Sequence, residues 1–331
     1  MTKTSTRVFI ASLVILMAAA ASIVAVWQPT STPAATQTAR LEPTATVVPS
    51  TVPTAVSSTI PTAVPIATAT AVPSVTPIML PAGIALPSPA PTASCLAQGG
   101  TTNQVKFTSE EMGETFTFTV YFPPCYDPGR AGGYPVIYLL HGQNMDDTLW
   151  PSLGVTRVAD EVIQAGKPAF LMVFPYEVHN FALPSESKFG EAIMEDLIPY
   201  IENHYNVCTL RQCREIGGIS RGGGWAIHLG LTHLDMFSAI GAHSPGWLSG
   251  DLYRIQNLLT THSAADFPRI YIDRGDNDYL ANSIDLYEKN LTATGVAHEY
   301  HVNPGSHEIS YWKSQIQNYI NWYVQGFAGL N

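Results

Sequence analysis

From residue 95 onward, apolar positions recur in two alternating rhythms. Residues 114–122 (ETFTFTVYF) are apolar at every second position, which predicts an early antiparallel strand. Residues 136–140 and 169–174 are nearly unbroken apolar runs, as expected of central strands buried on both faces. Residues 191–205 set Ile193, Leu197, Ile198 and Ile201 on one side of a predicted helix. A strand is expected at 215–219 and a helix at 222–232. Further strands are expected at 236–242, 269–272 and 298–302, with a closing helix over 309–327. Strands alternating with helices predict an α/β domain whose mostly parallel sheet carries helices on both faces.

The chain before residue 95 follows neither rhythm. Lys3 and Arg7 precede an uncharged run over residues 8–27, which as a helix spans about 30 Å, a bilayer's hydrocarbon core. Its basic flank places the N-terminus on the cytoplasmic side. Small residues at 18–22 allow a cleaved signal peptide over residues 1–27. The run continues apolar to Trp27, which favours an uncleaved anchor. Either reading exports the rest of the chain, secreted or held on the outer face of the membrane.

Residues 28–94 hold thirteen of the 25 prolines and repeat Pro-Thr-Ala-Val themes without an aromatic residue. Prolines block helix and sheet ladders, so a disordered stalk is expected, with a reach of at most about 200 Å. Its Thr and Ser content suits O-glycosylation. Residues 95–331 are long enough for one large domain with a well-buried core.

Composition narrows the partners. The 331-residue chain has a net charge of −10, and of its charged residues only Lys3, Arg7, Arg40 and Glu42 precede residue 95. The acidic domain argues against nucleic acid and against an anionic membrane surface. Contact with a membrane is expected only through the N-terminal segment. Four cysteines in an exported chain suggest two disulfides. Three pairings are formally possible, and proximity favours Cys208–Cys213 and hence Cys95–Cys125. Zinc is disfavoured: there is no Cys-x-x-Cys pair, and His204 is the only histidine near a cysteine.

Chemistry concentrates at Gly218-Ile219-Ser220-Arg221-Gly222, a G-x-S-x-G between a predicted strand and a predicted helix. The turn is too tight for larger flanking side chains and lifts Ser220 Oγ above the sheet. A serine hydroxyl is a poor nucleophile near neutral pH and needs a base, itself held by an acid. With Ser220 first, the acid and then the histidine should follow, each after a later strand. Asp273, Asp276 and Asp278 follow the strand at 269–272. Asp273 lies too near the strand end, Asp278 takes the expected loop position, and Asp276 is the reserve. A calcium loop is disfavoured because the Gly and distal Glu of an EF-hand are missing.

His307, in the loop after the strand ending near Val302, is the expected base. His301 lies inside that strand, His228 and His233 belong to the helix after the serine, and His243 precedes the acid. Two N–H donors for a developing oxyanion are expected from Arg221 and Gln143, the latter in the His141-Gly142-Gln143 loop. No cofactor and no metal are implied.

These segments resemble the Putative esterase branch of the α/β hydrolases. That branch includes esterase D-like S-formylglutathione hydrolases, feruloyl and acetyl-xylan esterases, siderophore esterases and mycolyltransferases. The likeness runs through Val120-Tyr121-Phe122-Pro123-Pro124, Tyr126-Asp127, Tyr138-Leu139-Leu140-His141-Gly142 and residues 197–202. It continues through 218–224, 272–278 and Gly305-Ser306-His307 with Trp312. It implies an α/β-hydrolase fold, Ser220, Asp278 and His307 as triad, and Gln143 and Arg221 as oxyanion donors. The chain departs from that pattern at Arg221, where family members usually carry Met.

Ester hydrolysis through an acyl-enzyme is therefore expected, on a small-molecule or polymer-linked ester. Acyl transfer of the mycolyltransferase kind would use the same residues, and a non-catalytic surface binding module on the same fold is a third reading. Export disfavours S-formylglutathione as substrate. His141, Trp150, Tyr176, Phe181 and Trp247 stand after strands, either lining a substrate pocket or anchoring loops.

Overall fold

A computed structural model of the protein describes residues 93–246 and 250–330. The expected export segment and nearly all of the stalk lie outside the described residues. No helix among the described residues is long and apolar enough to cross a membrane.

The described strands form one sheet: β1 (Thr101–Thr108), β2 (Thr115–Phe122), β3 (Val136–Leu140), β4 (Leu171–Pro175), β5 (Arg214–Ile219), β6 (Ala239–His243), β7 (Arg269–Gly275) and β8 (Glu299–Asn303). Their spatial order is β1-β2-β4-β3-β5-β6-β7-β8. The pairs β1–β2 and β2–β4 are antiparallel, and all other neighbours run parallel. The helices are α1 (Ala93–Gln98), α2 (Leu149–Leu153), α3 (Val155–Gln164), α4 (Pro184–Ser187), α5 (Phe189–Glu191), α6 (Ile198–His204), α7 (Arg221–Thr232), α8 (Asp251–Leu258), α9 (Ala281–Thr294) and α10 (Ile309–Gly326).

Alternation within the strands builds a core on each face. Tyr138, Leu140 and Ile216 pack with Ile201 of α6, Ile227 of α7 and Ile284 of α9. Ile137, Leu139 and Met172 pack on the other face with Val158 of α3 and Tyr319 of α10. All five residues of β3 are buried, as its unbroken apolar run requires. Each such side chain contributes about 1.5–3 kcal/mol by leaving water. Both expected disulfides are present, Cys95–Cys125 and Cys208–Cys213.

The expected helix at 191–205 is interrupted. Residues Ala192–Leu197 form a turn of π-helix ahead of α6. Pro199 has no N–H for the carbonyl four residues back, and its ring would clash with that carbonyl in a regular helix. The strand expected from Met236 begins later, at Ala239, because the Met236 N–H closes a turn onto the His233 carbonyl (3.0 Å). β1 has no apolar alternation to read: it is a mostly exposed edge strand held by its ladder to β2.

One buried charge lies at the start of β5, away from the serine. Burial pushes the Glu215 carboxyl well above its ordinary 4.5, against a weaker pull from Arg269 (Nη1–Oε1 3.6 Å). A raised folded value means the native state holds its proton longer than the unfolded chain, so stability is lost as pH rises through that range. Glu215→Gln is therefore expected to melt higher than wild type at neutral pH, by roughly 2–4 °C per kcal/mol relieved. The gain should fade as pH falls towards 4.5. Thermal melts across pH check this, and an equal Tm difference at all pH values would refute it.

Candidate active site

β5 runs into α7 through a turn that only this glycine pattern permits. Ser220 sits at φ 54° and ψ −117°, a conformation that costs a non-glycine residue on the order of 1–3 kcal/mol. A Cβ on Gly218 would lie 2.3 Å from the Gly222 carbonyl carbon, and one on Gly222 would lie 2.4 Å from the Leu140 carbonyl oxygen. Three backbone bonds secure the turn. The Ser220 N–H donates to the His243 carbonyl (2.8 Å), while the Gly224 and Gly246 N–H groups donate to the Ser220 carbonyl (3.0 and 2.8 Å).

The loops after β7 and β8 bring a carboxylate and an imidazole to this serine. Ser220 Oγ–H donates to His307 Nε2 (2.9 Å), and His307 Nδ1–H donates to both Asp278 oxygens (3.0 Å each). Trp312, one turn into α10, meets the imidazole edge-on at 5.0 Å. Burial by itself would raise the Asp278 carboxyl. Hydrogen bonds from His307 and from the Leu280 N–H (2.8 Å) outweigh that and hold it below its ordinary 3.8. A carboxylate kept ionised behind an imidazole keeps the proton on Nδ1 and leaves Nε2 free to accept one.

The rival residues have other partners. Asp273 is buried inside β7 and accepts from His243 Nδ1–H (2.8 Å), Tyr311 O–H (2.6 Å) and Tyr319 O–H (2.7 Å). Asp276 Oδ1 accepts the Gly305 N–H (3.0 Å), so it braces the His307 loop from outside. His228 contacts Asp251 at 2.9 Å, and His301 stacks on Tyr271 at 4.7 Å.

The loop after β3 passes beside the serine: a Cβ on Gly142 would lie 3.4 Å from Ser220 Cβ. Gln143 follows it, exposed. Two aromatic expectations need correction. Trp150 is 1% exposed, and its indole N–H donates to the Leu140 carbonyl (3.1 Å), so it anchors the core beneath the site. His141 is 3% exposed and also faces inward. Its Nδ1–H donates to the Gly142 carbonyl (2.7 Å) and its Nε2 accepts the Glu177 N–H (2.9 Å). Burial depresses its pKa, in keeping with a neutral strut. Trp247 lies outside the described residues.

Two neighbours escaped the sequence reading. Tyr279 is 75% exposed with its ring 4.5 Å from that of His307; its position next to Asp278 was the available signal. Glu177 takes the Arg221 side chain, and a lone Glu after an apolar strand carries no signal of its own. A cavity of about 620 Å³ beside α7 is lined by Leu183, Met194, Trp225 and His228, and by none of Ser220, Asp278 or His307.

The Putative esterase family model matches residues 109–323. An endo-1,4-beta-xylanase/feruloyl esterase of Xylanibacter ruminicola is 29% identical over 66% of this chain and 30% of its own length. The chain thus spans less than a third of that relative. An acetyl esterase of Caldicellulosiruptor saccharolyticus is 25% identical over 56% of this chain and 82% of its own length. Among solved structures, a ferulic acid esterase superposes with a TM-score of 0.61 at 25% identity, over 69% of this chain and all of its own. The sheet order and the helices on both faces are those of the α/β-hydrolase fold.

Proposed function

The chain belongs to the Putative esterase family, and on that premise we propose that it is an exported serine esterase working through an acyl-enzyme. The observation that carries this reading is the continuous hydrogen-bonded chain from Ser220 Oγ through His307 to Asp278. Ser220 Oγ attacks the ester carbonyl carbon as His307 Nε2 takes its proton. Asp278 steadies the imidazolium that results. The carbonyl oxygen, now negative, accepts hydrogen bonds from the Gln143 and Arg221 N–H groups. Collapse breaks the C–O bond, and His307 returns the proton to the departing alcohol. Water then repeats the sequence on the acyl-enzyme and frees the acid and Ser220.

The names of the two relatives point to feruloyl or acetyl esters, attached to a polymer or to a small alcohol. The two disulfides support placement outside the cytoplasm. The test is a panel of p-nitrophenyl acyl esters with methyl ferulate, run with and without an added alcohol acceptor. The expected result is free acid as the main product in both conditions. Dominant transfer to the acceptor would make the protein an acyltransferase, and no turnover of any ester would overturn the reading.

A further inference from the structure

Arg221, the residue that follows Ser220, does not reach into solvent. Its Nε–H and Nη2–H donate to the two oxygens of Glu177 (2.7 and 2.6 Å), a two-pronged contact, with the arginine side chain 13% and the carboxylate 2% exposed. Trp225, one turn further along α7, donates its indole N–H to the same carboxylate (3.1 Å). The backbone of Glu177 is also fully engaged. Its N–H donates to His141 Nε2 (2.9 Å), and its carbonyl accepts from Asn180 Nδ2–H (3.0 Å). Asn180 Oδ1 in turn accepts the Asn144 N–H (3.1 Å).

These bonds join three segments that neighbour in space and not in sequence. His141 and Asn144 bracket Gln143, and Arg221 follows Ser220. Gln143 and Arg221 carry the two N–H groups assigned above to the oxyanion, and Glu177 is bonded to both sides of that pair. We infer that Glu177 is a positioning residue, which through Arg221 on one side and through His141 and Asn180 on the other holds the two oxyanion donors at a fixed separation. The inference rests on the function proposed above. Its physical basis is that such donors act by being aimed beforehand at a charge that appears only in the transition state, so a small displacement weakens kcat more than binding. The ion pair also explains how a charged side chain is accommodated there: a buried cation is tolerated when a carboxylate meets it with good geometry.

The test is a double-mutant cycle of Glu177→Gln, Arg221→Met and the two together, with active sites counted by fluorophosphonate labelling so that only folded enzyme enters kcat. Each single variant is expected to lose about 10- to 100-fold in kcat with KM within about threefold, short of the 10²–10³ for deleting a donor outright. An arylboronic acid, whose tetrahedral serine adduct places an oxygen among these donors, should bind more weakly in step with the fall in kcat. The double variant, with no unpaired buried charge, should lose clearly less than the product of the single losses. Should Glu177→Gln fail to fold, Arg221→Lys carries the test. It keeps the charge without the two-pronged contact and should still lower kcat and boronate affinity together.

Losses that multiply independently would overturn the inference. So would unchanged kcat in the single variants, or a loss confined to KM or to Tm. Ester turnover by the wild type and its absence in Ser220→Ala, measured alongside, report on the function separately from the clamp.

Discussion

Ser220→Ala is expected to lower ester turnover by on the order of 10⁴-fold or more, because it removes the atom that forms the acyl-enzyme in the proposed mechanism. The fold should not notice. Alanine keeps the Cβ, so the cost of the left-handed turn at φ 54° is the same in both proteins, and only one oxygen is lost. Far-UV spectra and Tm should match wild type while a fluorophosphonate probe ceases to label. A well-folded Ser220→Ala protein with wild-type turnover would remove the mechanism, as would probe attachment at a different serine.

The second large effect separates two aspartates that share a loop. Asp278→Asn is expected to lower kcat by about 10⁴-fold with a smaller effect on KM. An amide can present an N–H to His307 Nδ1, which turns the imidazole to the wrong tautomer and takes away the charge that steadies the imidazolium. Asp276→Asn should lose no more than a few-fold, since its role is to accept the Gly305 N–H, and an amide oxygen accepts that bond equally well. Measuring both at saturating substrate decides the assignment. A crippled Asp276→Asn beside an active Asp278→Asn would reverse it and leave Ser220 and His307 standing.

The Asp278 substitution also has a signature in stability. The folded carboxyl lies below its ordinary 3.8, so its contribution is present above that pH and is lost as pH falls through the lower folded value. The Tm gap between wild type and Asp278→Asn should accordingly narrow on acidification below about 3.8.

Local rules made much of this protein legible from its residues alone. The apolar run of β3, the alternation of β2 and the strand–turn–helix around Ser220 each follow from interactions within a few residues. So does the Cys208–Cys213 disulfide, a short loop, which leaves Cys95 to pair with Cys125 from 30 residues away. The order of serine, acid and histidine then singled out, among ten histidines and 26 acidic residues, the His307 and Asp278 that the structure joins by hydrogen bonds to Ser220.

Other features depend on partners far away in sequence. β1 is a strand only because β2 completes its backbone hydrogen bonds. Trp150 and His141 occupy positions after strands that suggest a pocket, yet both turn inward, since the Leu140 carbonyl and the Glu177 N–H require partners. Asp273 and Asp278 are the same residue type five positions apart. One is bound by His243 and two tyrosines of α10, and the other is bound by His307. Glu177 and Arg221 lie 44 residues apart and meet only because β4 and β5 flank β3 in the sheet. Sequence determined which residues are the candidates for the chemistry, because strand, turn and glycine constraints act locally. Tertiary structure alone decided which of them face the serine and which hold it in place, because buried polar groups must find partners wherever the sheet brings them.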